Sequence, residues 1–402
     1  MYNLTDRHIV LGVTGSIAIY KACDLASKLT QAGAIVDVAM TPGATKFVSP
    51  ITFQSVTGRR AYADLWDATS DISELHVALA RRANLMIVAP ATATLMARLA
   101  HGLAEEIVSL TALATRAPIL LAPAMDPQMW DHPATKANLG TLRERGVAFV
   151  GPEEGRLASG HMGWGRMSEI ESIVGAARQL IGRGGNLGGR KVVVSAGGTH
   201  EAIDPVRFVG NESSGKMGFA IAEAARDRGA DVVLVTGPVA LADPYGMRVT
   251  RVKSAAQMRD AIIPECEGAD LLVMAAAVAD YQPSEPVGQK IKREGRDGLT
   301  LSLAQTPDIL AEVGRPAGLV KVGFAAESQD LLENAAAKLE AKDLDLIVAN
   351  DITATDAGFA VDTNRVTMLD RKGQKEELPL LTKYEVGCRI LDRAAELIEE
   401  TS

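Results

Sequence analysis

Residues 197–218, GGTHEAIDPVRFVGNESSGKMG, concentrate residue types that can bind an anion. Glycine lets the backbone approach a ligand closely, and Ser213, Ser214 and Lys216 lie where a helix is predicted to begin, so that its N–H groups favour negative charge. The segment follows an apolar, β-branched run at residues 191–195. Loops that leave such strands lie at the carboxyl edge of an α/β sheet, where ligands bind. The segment therefore predicts a site for a phosphate-bearing ligand, because a merely solvated loop would not need so many special residues.

Further charged side chains in the C-terminal half could serve the same ligand. Asp280 ends a run of small residues, and a concentrated basic run follows at residues 290–293. A basic run is more often a solvated face, but its position after the Asp280 segment favours a function. Lys338 and Lys342 are four residues apart, which places them on one face of a helix.

In the N-terminal half, small and hydroxyl residues follow several predicted strands. They suit a flat ring or a phosphate that lies close to the backbone. The segments are residues 13–17, 89–94 and 122–130, together with the glycine-punctuated loop at residues 155–163. A Gly-Ser turn alone is weak evidence, since it is also common as a helix cap.

The elements that must position these residues are short apolar strands that alternate with helices. Strands are predicted at residues 8–13, 35–40, 85–89, 119–122 and 147–150, and then at 191–195, 231–236, 271–275, 320–324 and 344–349. This alternation predicts parallel sheets covered by helices on both faces, that is, two doubly wound α/β domains. Residues 365–369 and 376–381 predict an added strand pair before a last helix at residues 383–400.

The domain boundary is predicted at a glycine-rich segment. Five glycines fall within residues 182–189, and the strand-and-turn opening of residues 8–16 is repeated at residues 191–198. Such a composition is typical of a flexible linker. We therefore expect a first domain at residues 1–181, a linker at 182–190 and a second domain at 191–402.

Composition excludes several classes of protein. The chain has 402 residues, 47% of them hydrophobic and 23% charged, with a net charge of −8. This balance predicts a soluble globular protein and disfavours nucleic acid as a partner. No apolar run approaches the length of a membrane span, and the start of the chain does not resemble a signal peptide. Three widely separated cysteines without CxxC spacing predict a reducing, cytoplasmic setting.

The N-terminal segments resemble the flavin-dependent cysteine decarboxylase family, and the C-terminal ones resemble phosphopantothenate–cysteine ligases. In this order, and over essentially the whole chain, they resemble the bifunctional coenzyme A biosynthesis family of bacteria. The resemblance implies a flavodoxin-like flavoprotein domain followed by a Rossmann-like ligase domain. It also implies FMN as cofactor, Mg²⁺, and 4′-phosphopantothenate, cysteine and CTP as small-molecule substrates. Flavin sites of the family form between subunits, so a homo-oligomer is expected.

For the first domain, the resemblance implies a flavin site, a catalytic His76, and Met125 and Asp126 beside the substrate. The residues implied to bind FMN are Gly15, Ser16, Ile17, Thr41, Pro90, Thr92, Thr94 and Ser109. Asp126 stands where the family usually has an Asn that holds the substrate carboxylate, and its negative charge would repel that carboxylate. Ser159 stands where the family has a proton-donating Cys, and an alcohol is a far weaker acid. Thr94 also replaces a common Asn.

These departures leave three interpretations of the first domain. A subfamily completes the same chemistry with Asp126, Ser159 or His161 reassigned; or the decarboxylase is slow; or the domain is a flavin-binding scaffold without turnover. We favour the first, because Pro127, Met129 and Trp130 are kept around the site.

For the second domain, the resemblance implies that Asn211 contacts an acyl-cytidylate intermediate and that Lys290 lies on the reacting phosphate. The residues implied to bind the nucleotide are Asp280, Lys290, Pro307, Asp308, Ile309, Leu310, Phe324, Lys338 and Lys342. The metal ligands stay unknown.

Two rival functions have less support. A nucleotide-binding oxidoreductase would need GxGxxG after the first strand of a domain, and neither half has it. Alternatively, the chain is a ligase only, and its N-terminal half is a non-catalytic flavin-binding or regulatory subunit. No Walker A pattern is present, so ordinary ATP hydrolysis is not expected.

Overall fold

The computed structural model describes residues 4–66, 74–157, 160–292, 298–327, 331–351 and 361–401. These residues form two compact units that divide between Gly182 and Arg183. Among the helices described, none has both the length and the apolar character needed to cross a membrane.

The first unit is built on a six-stranded parallel sheet and a separate hairpin. Its strands are β1 His8–Val13, β2 Ile35–Met40, β3 Ala61–Tyr62, β4 Leu85–Ala91, β5 Ile119–Pro123, β6 Ala148–Phe149, β7 Glu153–Arg156 and β8 Met162–Arg166. Its α-helices are α1 Ile19–Gln31, α2 Pro50–Thr57, α3 Leu75–Arg82, α4 Ala93–His101, α5 Ile107–Ala114, α6 Pro127–Asp131, α7 Pro133–Glu144 and α8 Ile170–Gly182, with a 3₁₀ turn at Ala44–Lys46.

Helices cover this sheet in two sets. Helix α1 packs against α2 and α8, whereas α3 packs against α5, and α4 against α5 and α7. Because successive strand residues face opposite sides, Val10 of β1 joins the core beneath α3, α4 and α5, while Ile9 and Leu11 are buried on the other side. The strand order is β3-β2-β1-β4-β5-β6, with β7 and β8 forming the hairpin.

The second unit has a larger sheet of eight strands and three small two-stranded sheets. Its strands are β9 Lys191–Ala196, β10 His200–Ala202, β11 Phe208–Gly210, β12 Asp231–Thr236, β13 Arg248–Arg251, β14 Leu271–Met274, β15 Tyr281–Pro283, β16 Leu303–Gln305, β17 Val320–Glu327, β18 Leu346–Asp351, β19 Thr363–Asn364, β20 Val366–Asp370, β21 Lys375–Glu377 and β22 Leu381–Thr382. Its helices are α9 Lys216–Arg226, α10 Ala255–Cys266, α11 Ile309–Val313, α12 Leu331–Ala341 and α13 Lys383–Thr401.

The large sheet has the order β13-β12-β9-β14-β17-β18-β20-β21, and all neighbouring strands are parallel except the antiparallel pairs β18–β20 and β20–β21. Alternation again divides the core: Val192 and Val194 pack with α9 and α13, whereas Val193 packs with α10 and α11. In both units the order reverses between the first and fourth parallel strands, which is the point where doubly wound sheets bind ligands.

The predicted doubly wound α/β class is confirmed for both units. The strand order of the first unit is nevertheless the 3-2-1-4-5-6 order of Rossmann domains, not the 2-1-3-4-5 order of flavodoxin. The strand expected at residues 376–381 was also wrong, because β21 and β22 are separate strands that pair with β20 and β19. Part of the expected linker is packed: Leu187 is fully buried in the core of the second unit.

Candidate active sites

A cavity of 610 Å³ opens at the carboxyl edge of the second sheet, beside the loop that follows β14. The residues predicted to bind a nucleotide are brought together here, with one exception. Those on its wall are Asp280, Pro307, Asp308, Ile309, Leu310, Phe324, Lys338 and Lys342. The cavity volume lies in the range of small-molecule sites.

Two threonines fix the Asp280 loop from opposite sides. The Thr306 hydroxyl donates to the Ala279 carbonyl at 2.6 Å, and the Thr306 N–H donates to the Asp280 carbonyl at 3.0 Å. The fully buried Thr199 accepts from the Ala279 N–H at 2.9 Å. The loops after β9 and β14 and the loop before α11 are therefore joined into one frame.

The far wall of the cavity is cationic. Lys338 donates to the Phe324 carbonyl at 2.9 Å, and Lys342 pairs with Asp308. Burial raises the pKa of the Asp308 carboxyl, but the hydrogen bonds from Lys342 and the Ala311 N–H, together with the charges of Lys342 and Lys338, outweigh that effect and hold the pKa below its usual range. Asp308 also caps α11 by accepting from the Ala311 N–H at 3.2 Å. Lys338 lies in the last turn of α12, and Lys342 directly follows the end of that helix. Phosphate oxygens that enter here would meet both lysines.

Asn211, in the glycine-rich loop after β9, contacts Val278 on the wall of this cavity. Its amide donates to the Val278 carbonyl at 3.0 Å, which ties the loop to the residues before Asp280. A Cβ at Gly198 would lie only 2.4 Å from the Asn211 carbonyl oxygen, so the close approach requires glycine. Lys216 begins α9 and pairs with Asp362 at 2.8 Å.

Lys290 is the exception among the predicted nucleotide residues. It is exposed and lines a neighbouring cavity of 760 Å³ with Ile203, Val287 and Ile291. The basic run is only partly visible, because Arg293 lies outside the described residues. The role of Lys290 at the reacting phosphate stays a prediction.

The first unit has its own cavity, of 530 Å³, at the edge of its sheet. Of the residues predicted there, Ser16, Ile17, Met125 and Asp126 line it. The hairpin β7–β8 closes one side, since the Met125 N–H donates to the Gly165 carbonyl at 3.0 Å.

Asp126 has a structural task within this wall. It is the N-cap of α6 and accepts from the Gln128 N–H at 3.0 Å, with Pro127 at the first helical position. An Asn would cap equally well. The fold therefore tolerates either residue, and the choice between them changes the charge of the wall.

Three other predicted flavin residues, Gly15, Thr41 and Pro90, lie at strand ends and are not on the wall of this cavity. Gly15 approaches Gly43 so closely that a Cβ would lie 2.8 Å from the Gly43 carbonyl carbon, and buried Thr41 accepts from the Ala44 N–H at 3.2 Å. Pro90 accepts through its carbonyl from the Thr14 hydroxyl at 2.7 Å, which joins β1 to β4.

The three remaining hydroxyl residues are placed at helix starts. Thr92 caps α4 by accepting from the Leu95 N–H at 3.4 Å, and Thr94 is exposed in the first turn of that helix. Ser109 is buried, and its hydroxyl takes part in a capping box with Glu106. Their contacts with a flavin stay predictions.

His76 is not among the described residues that line the cavity. His76 is half-buried in α3, which belongs to the helix set opposite α1. Ser159 lies outside the described residues.

Sequence reasoning missed three cations on the wall of the first cavity: Lys21, Arg156 and Arg166. Lys21 and Arg166 both pair with Glu169, whose pKa is lowered chiefly by its hydrogen bond from Lys21. Lys21 lies in the first turn of α1, five residues after Ser16, so its place on the same wall could have been predicted from the start of that helix. Arg156 is positioned by the β7–β8 hairpin. The glycine-rich sequence of residues 155–163 predicted a loop there instead.

Comparison with known proteins bears directly on these two sites. Residues 1–182 match the flavoprotein family model, and residues 187–398 match the model of the DNA/pantothenate metabolism flavoprotein C-terminal domain. The coenzyme A biosynthesis bifunctional protein CoaBC of Bacillus subtilis (strain 168) is 46% identical over 402 residues, covering 99% of both chains. The chain belongs to the coenzyme A biosynthesis bifunctional protein family. It is therefore a bifunctional enzyme with a flavoprotein half.

A second relative also matches almost the whole chain. The protein of the same name from Mycobacterium tuberculosis (strain CDC 1551 / Oshkosh) is 42% identical over 403 residues and matches 96% of each chain. Among solved structures, the C-terminal domain of a coenzyme A biosynthesis bifunctional protein CoaBC is 40% identical, with a TM-score of 0.46 over 54% of this chain and 98% of that one. A PPC decarboxylase mutant is 28% identical, with a TM-score of 0.39 over 43% and 97%.

Proposed function

We propose that the chain catalyses two consecutive reactions of coenzyme A biosynthesis. The second unit ligates 4′-phosphopantothenate to cysteine with CTP, and the first unit decarboxylates the product to 4′-phosphopantetheine. Family membership over the whole chain supports both steps. The observation that carries the ligase step is the convergence of Asp280, Asp308, Lys338 and Lys342 on one cavity.

In the ligase step, a carboxylate oxygen of 4′-phosphopantothenate attacks the α-phosphorus of CTP and pyrophosphate leaves. The amine of cysteine then attacks the acyl carbon of the acyl-cytidylate, and CMP leaves. Lys338 and Lys342 would neutralise the phosphate charge, while Asn211 would orient the acyl-cytidylate from the opposite loop. Such preorganised cations and donors stabilise charge as it moves onto the leaving group.

Mg²⁺ is proposed to accompany CTP. It usually binds through one or two carboxylates together with substrate phosphates, so a ready-made protein cage is not needed. The described residues hold no group of three or more His, Cys, Asp or Glu arranged for a metal. Asp280 on the cavity wall fits the role of a single carboxylate ligand.

In the first unit, the residues fit a flavin with a phosphate. Small side chains at Ser16, Ala18 and Ala124 leave space against the backbone, and Lys21 and Arg166 supply positive charge. These residues would hold FMN, and the chemistry that the cofactor would supply there is reversible two-electron transfer with the substrate thiol group. Asp126 and Met125 would border the substrate, and the cations of the wall would offset the charge of Asp126.

The proposal includes a homo-oligomer in the cytoplasm. His76 lies away from the cavity of its own unit, so a second copy would be needed to bring an equivalent histidine to it. The three cysteines are free thiols, which suits a reducing compartment. Sedimentation of the full chain tests the oligomer, and a monomer would contradict it.

The test of function is mass spectrometry of products from purified protein with 4′-phosphopantothenate, cysteine, CTP and Mg²⁺. Formation of 4′-phosphopantetheine would support both steps. A reaction that stops at phosphopantothenoylcysteine would leave the ligase and favour a non-catalytic flavin-binding half, as the Asp126 and Ser159 departures allow. If neither product forms, the proposed function is wrong.

A further inference from the structure

The segment that carries Lys290 is exposed, yet its backbone is held at two points. The Val287 N–H donates to the Ile203 carbonyl at 3.0 Å, and the Ile291 N–H donates to Oδ2 of Asp204 at 3.2 Å. Lys290 lies between these two anchors. A loop more than eighty residues earlier in the chain therefore sets the course of this segment.

The two oxygens of the Asp204 carboxylate have different partners. Oδ1 accepts from the N–H groups of Val206 and Arg207, both at 2.8 Å, and so forms the local turn. Oδ2 accepts from the Arg207 guanidinium at 2.9 Å and from Ile291. Arg207 in turn donates to the Ile291 carbonyl at 3.3 Å. Oδ1 thus stabilises the turn at residues 204–207, and Oδ2 binds the Lys290 segment to that turn. We call the hydrogen bond from the Ile291 N–H to Oδ2 the latch.

The side chain of Asp204 is fully buried, so the latch is protected from water. Burial alone would raise the pKa of this carboxyl. The N–H groups of Val206, Arg207 and Ile291, together with the charge of the Arg207 guanidinium, outweigh that effect, and the pKa lies below its usual range. The carboxylate is therefore charged near neutral pH and accepts strong hydrogen bonds.

We propose that Asp204 is a positioning residue for Lys290, acting through the hydrogen bond from Oδ2 to the Ile291 backbone. This inference rests on the proposed ligase function, in which Lys290 contacts the reacting phosphate. Asp204 itself touches no reacting atom. Its effect is to restrict where the Lys290 ammonium can go before the nucleotide arrives.

The variant Asp204→Asn separates the two tasks of the carboxylate. The amide oxygen can still accept from Val206 and Arg207, so the turn is kept. The amide NH₂ would face the Ile291 N–H and the Arg207 guanidinium, two donors, so the latch is lost. In the full-length protein, trypsin should cut after Lys290 and Lys292 faster in this variant than in the wild type, as mapped by mass spectrometry. Equal cleavage rates would overturn the proposal.

Kinetics give the second readout. Asp204→Asn should lower kcat for ligation on the order of 10- to 100-fold, because a small displacement of a reacting-site group by a distant substitution can cost that much. KM for CTP should stay within about twofold, since the residues lining the nucleotide cavity are unchanged. An unchanged kcat would contradict the proposal even if the segment became more accessible.

The matched control is Asp345→Asn, another buried aspartate of the same unit. Asp345 accepts from the Lys321 N–H at 2.8 Å and pairs with Arg315, without a recorded hydrogen bond to residues 287–292. The Asp345→Asn variant should have a lower Tm than the wild type. At an assay temperature well below that Tm, its kcat and its rate of cleavage after Lys290 should equal those of the wild type. If the wild type forms no ligated product, the proposed function fails, while the cleavage comparison still decides whether Asp204 holds the segment.

Discussion

At the scale of single residues, Asp126 shows how one side chain can satisfy the fold and alter the chemistry. Its carboxylate caps α6, a task that Asn performs equally well. It also adds negative charge to a wall that holds Lys21, Arg156 and Arg166. The wall keeps an excess of positive charge, which suits a substrate with a phosphate and a carboxylate.

Asp126→Asn should leave the free energy of unfolding unchanged, whereas Asp126→Ala should lower it by about 1 kcal/mol through loss of the cap. With phosphopantothenoylcysteine as substrate, Asp126→Asn should also lower KM, because the repulsion of the carboxylate is removed. Urea unfolding and steady-state decarboxylation measure the two effects. If Asp126→Asn lowered the free energy of unfolding as much as Asp126→Ala does, the capping role would be contradicted.

Thr306 controls the Asp280 loop through its hydroxyl. Thr306→Val keeps the shape but leaves the Ala279 carbonyl without its partner at 2.6 Å. We expect KM for CTP to rise roughly tenfold, which corresponds to about 1.4 kcal/mol. Thr306→Ser keeps the hydroxyl and is the matched control. Equal KM values for CTP in Thr306→Val and Thr306→Ser would show that the Thr306 hydroxyl does not position the nucleotide site.

At the scale of elements, the start of helix α13 buries a charged group. Lys383 is 5% exposed, donates to the Val361 carbonyl and lies near Lys216. Burial lowers its pKa from 10.5 to about 8, with a further contribution from Lys216 that Asp362 partly offsets. Helix α13 packs extensively against α9, so the charge state of Lys383 affects how this pair docks.

The stability of the wild type should therefore gain from a rise in pH between about 8 and 10.5. In that window the unfolded state binds the proton and the folded state has released it, so the free energy of unfolding increases. Below pH 8 both states are protonated and the gain is absent. Lys383→Met lacks this titrating group. The free energy of unfolding of the wild type minus that of the variant should therefore increase as the pH rises through this window. Parallel curves of urea unfolding against pH would contradict the shifted pKa.

In the glycine-rich loop after β9, a Cβ added at Gly198 should displace Asn211. In Gly198→Ala the new Cβ would lie 2.4 Å from the Asn211 carbonyl oxygen, so the Asn211 backbone must shift. Ligation should fall on the order of 100-fold, while decarboxylation of supplied phosphopantothenoylcysteine should be unchanged. Gly184→Ala is the control, because nothing lies within 4 Å of its Cβ position. Equal ligation rates for the two variants would exclude a role for this close approach.

Elements with strong periodicity could be predicted from sequence, and short ones could not. Apolar runs such as Asp231–Thr236 gave the strands of both sheets because a buried parallel strand is apolar on both faces. The hairpin of His200–Ala202 and Phe208–Gly210 was missed, since three-residue strands carry no readable alternation. The latch between Asp204 and Ile291 depends on that hairpin, so sequence alone could not reveal it.

At the scale of the whole molecule, the two units repeat one plan. Each has a parallel sheet whose order reverses at the first and fourth strands, and each has its cavity at the carboxyl edge. The resemblance could predict which residues gather at these edges, because loops that follow parallel strands meet there. It could not place His76 or Lys290. Helix α3 belongs to the other helix set, and Lys290 lies in the connection between β15 and β16, not after a strand of the main sheet.

Because each unit has its own core and cavity, the two reactions should be separable by single substitutions in the full chain. Lys290→Ala should fail to ligate but should convert supplied phosphopantothenoylcysteine to 4′-phosphopantetheine at the wild-type rate. His76→Gln should ligate at the wild-type rate and accumulate phosphopantothenoylcysteine.

Mass spectrometry of both products over time measures this separation. Mixing the two variants with 4′-phosphopantothenate, cysteine, CTP and Mg²⁺ should restore 4′-phosphopantetheine, because the adduct released by one protein is a substrate for the other. If Lys290→Ala also lost decarboxylation of the supplied adduct, the two units would be coupled in catalysis, and the independence inferred from their separate cores would be wrong.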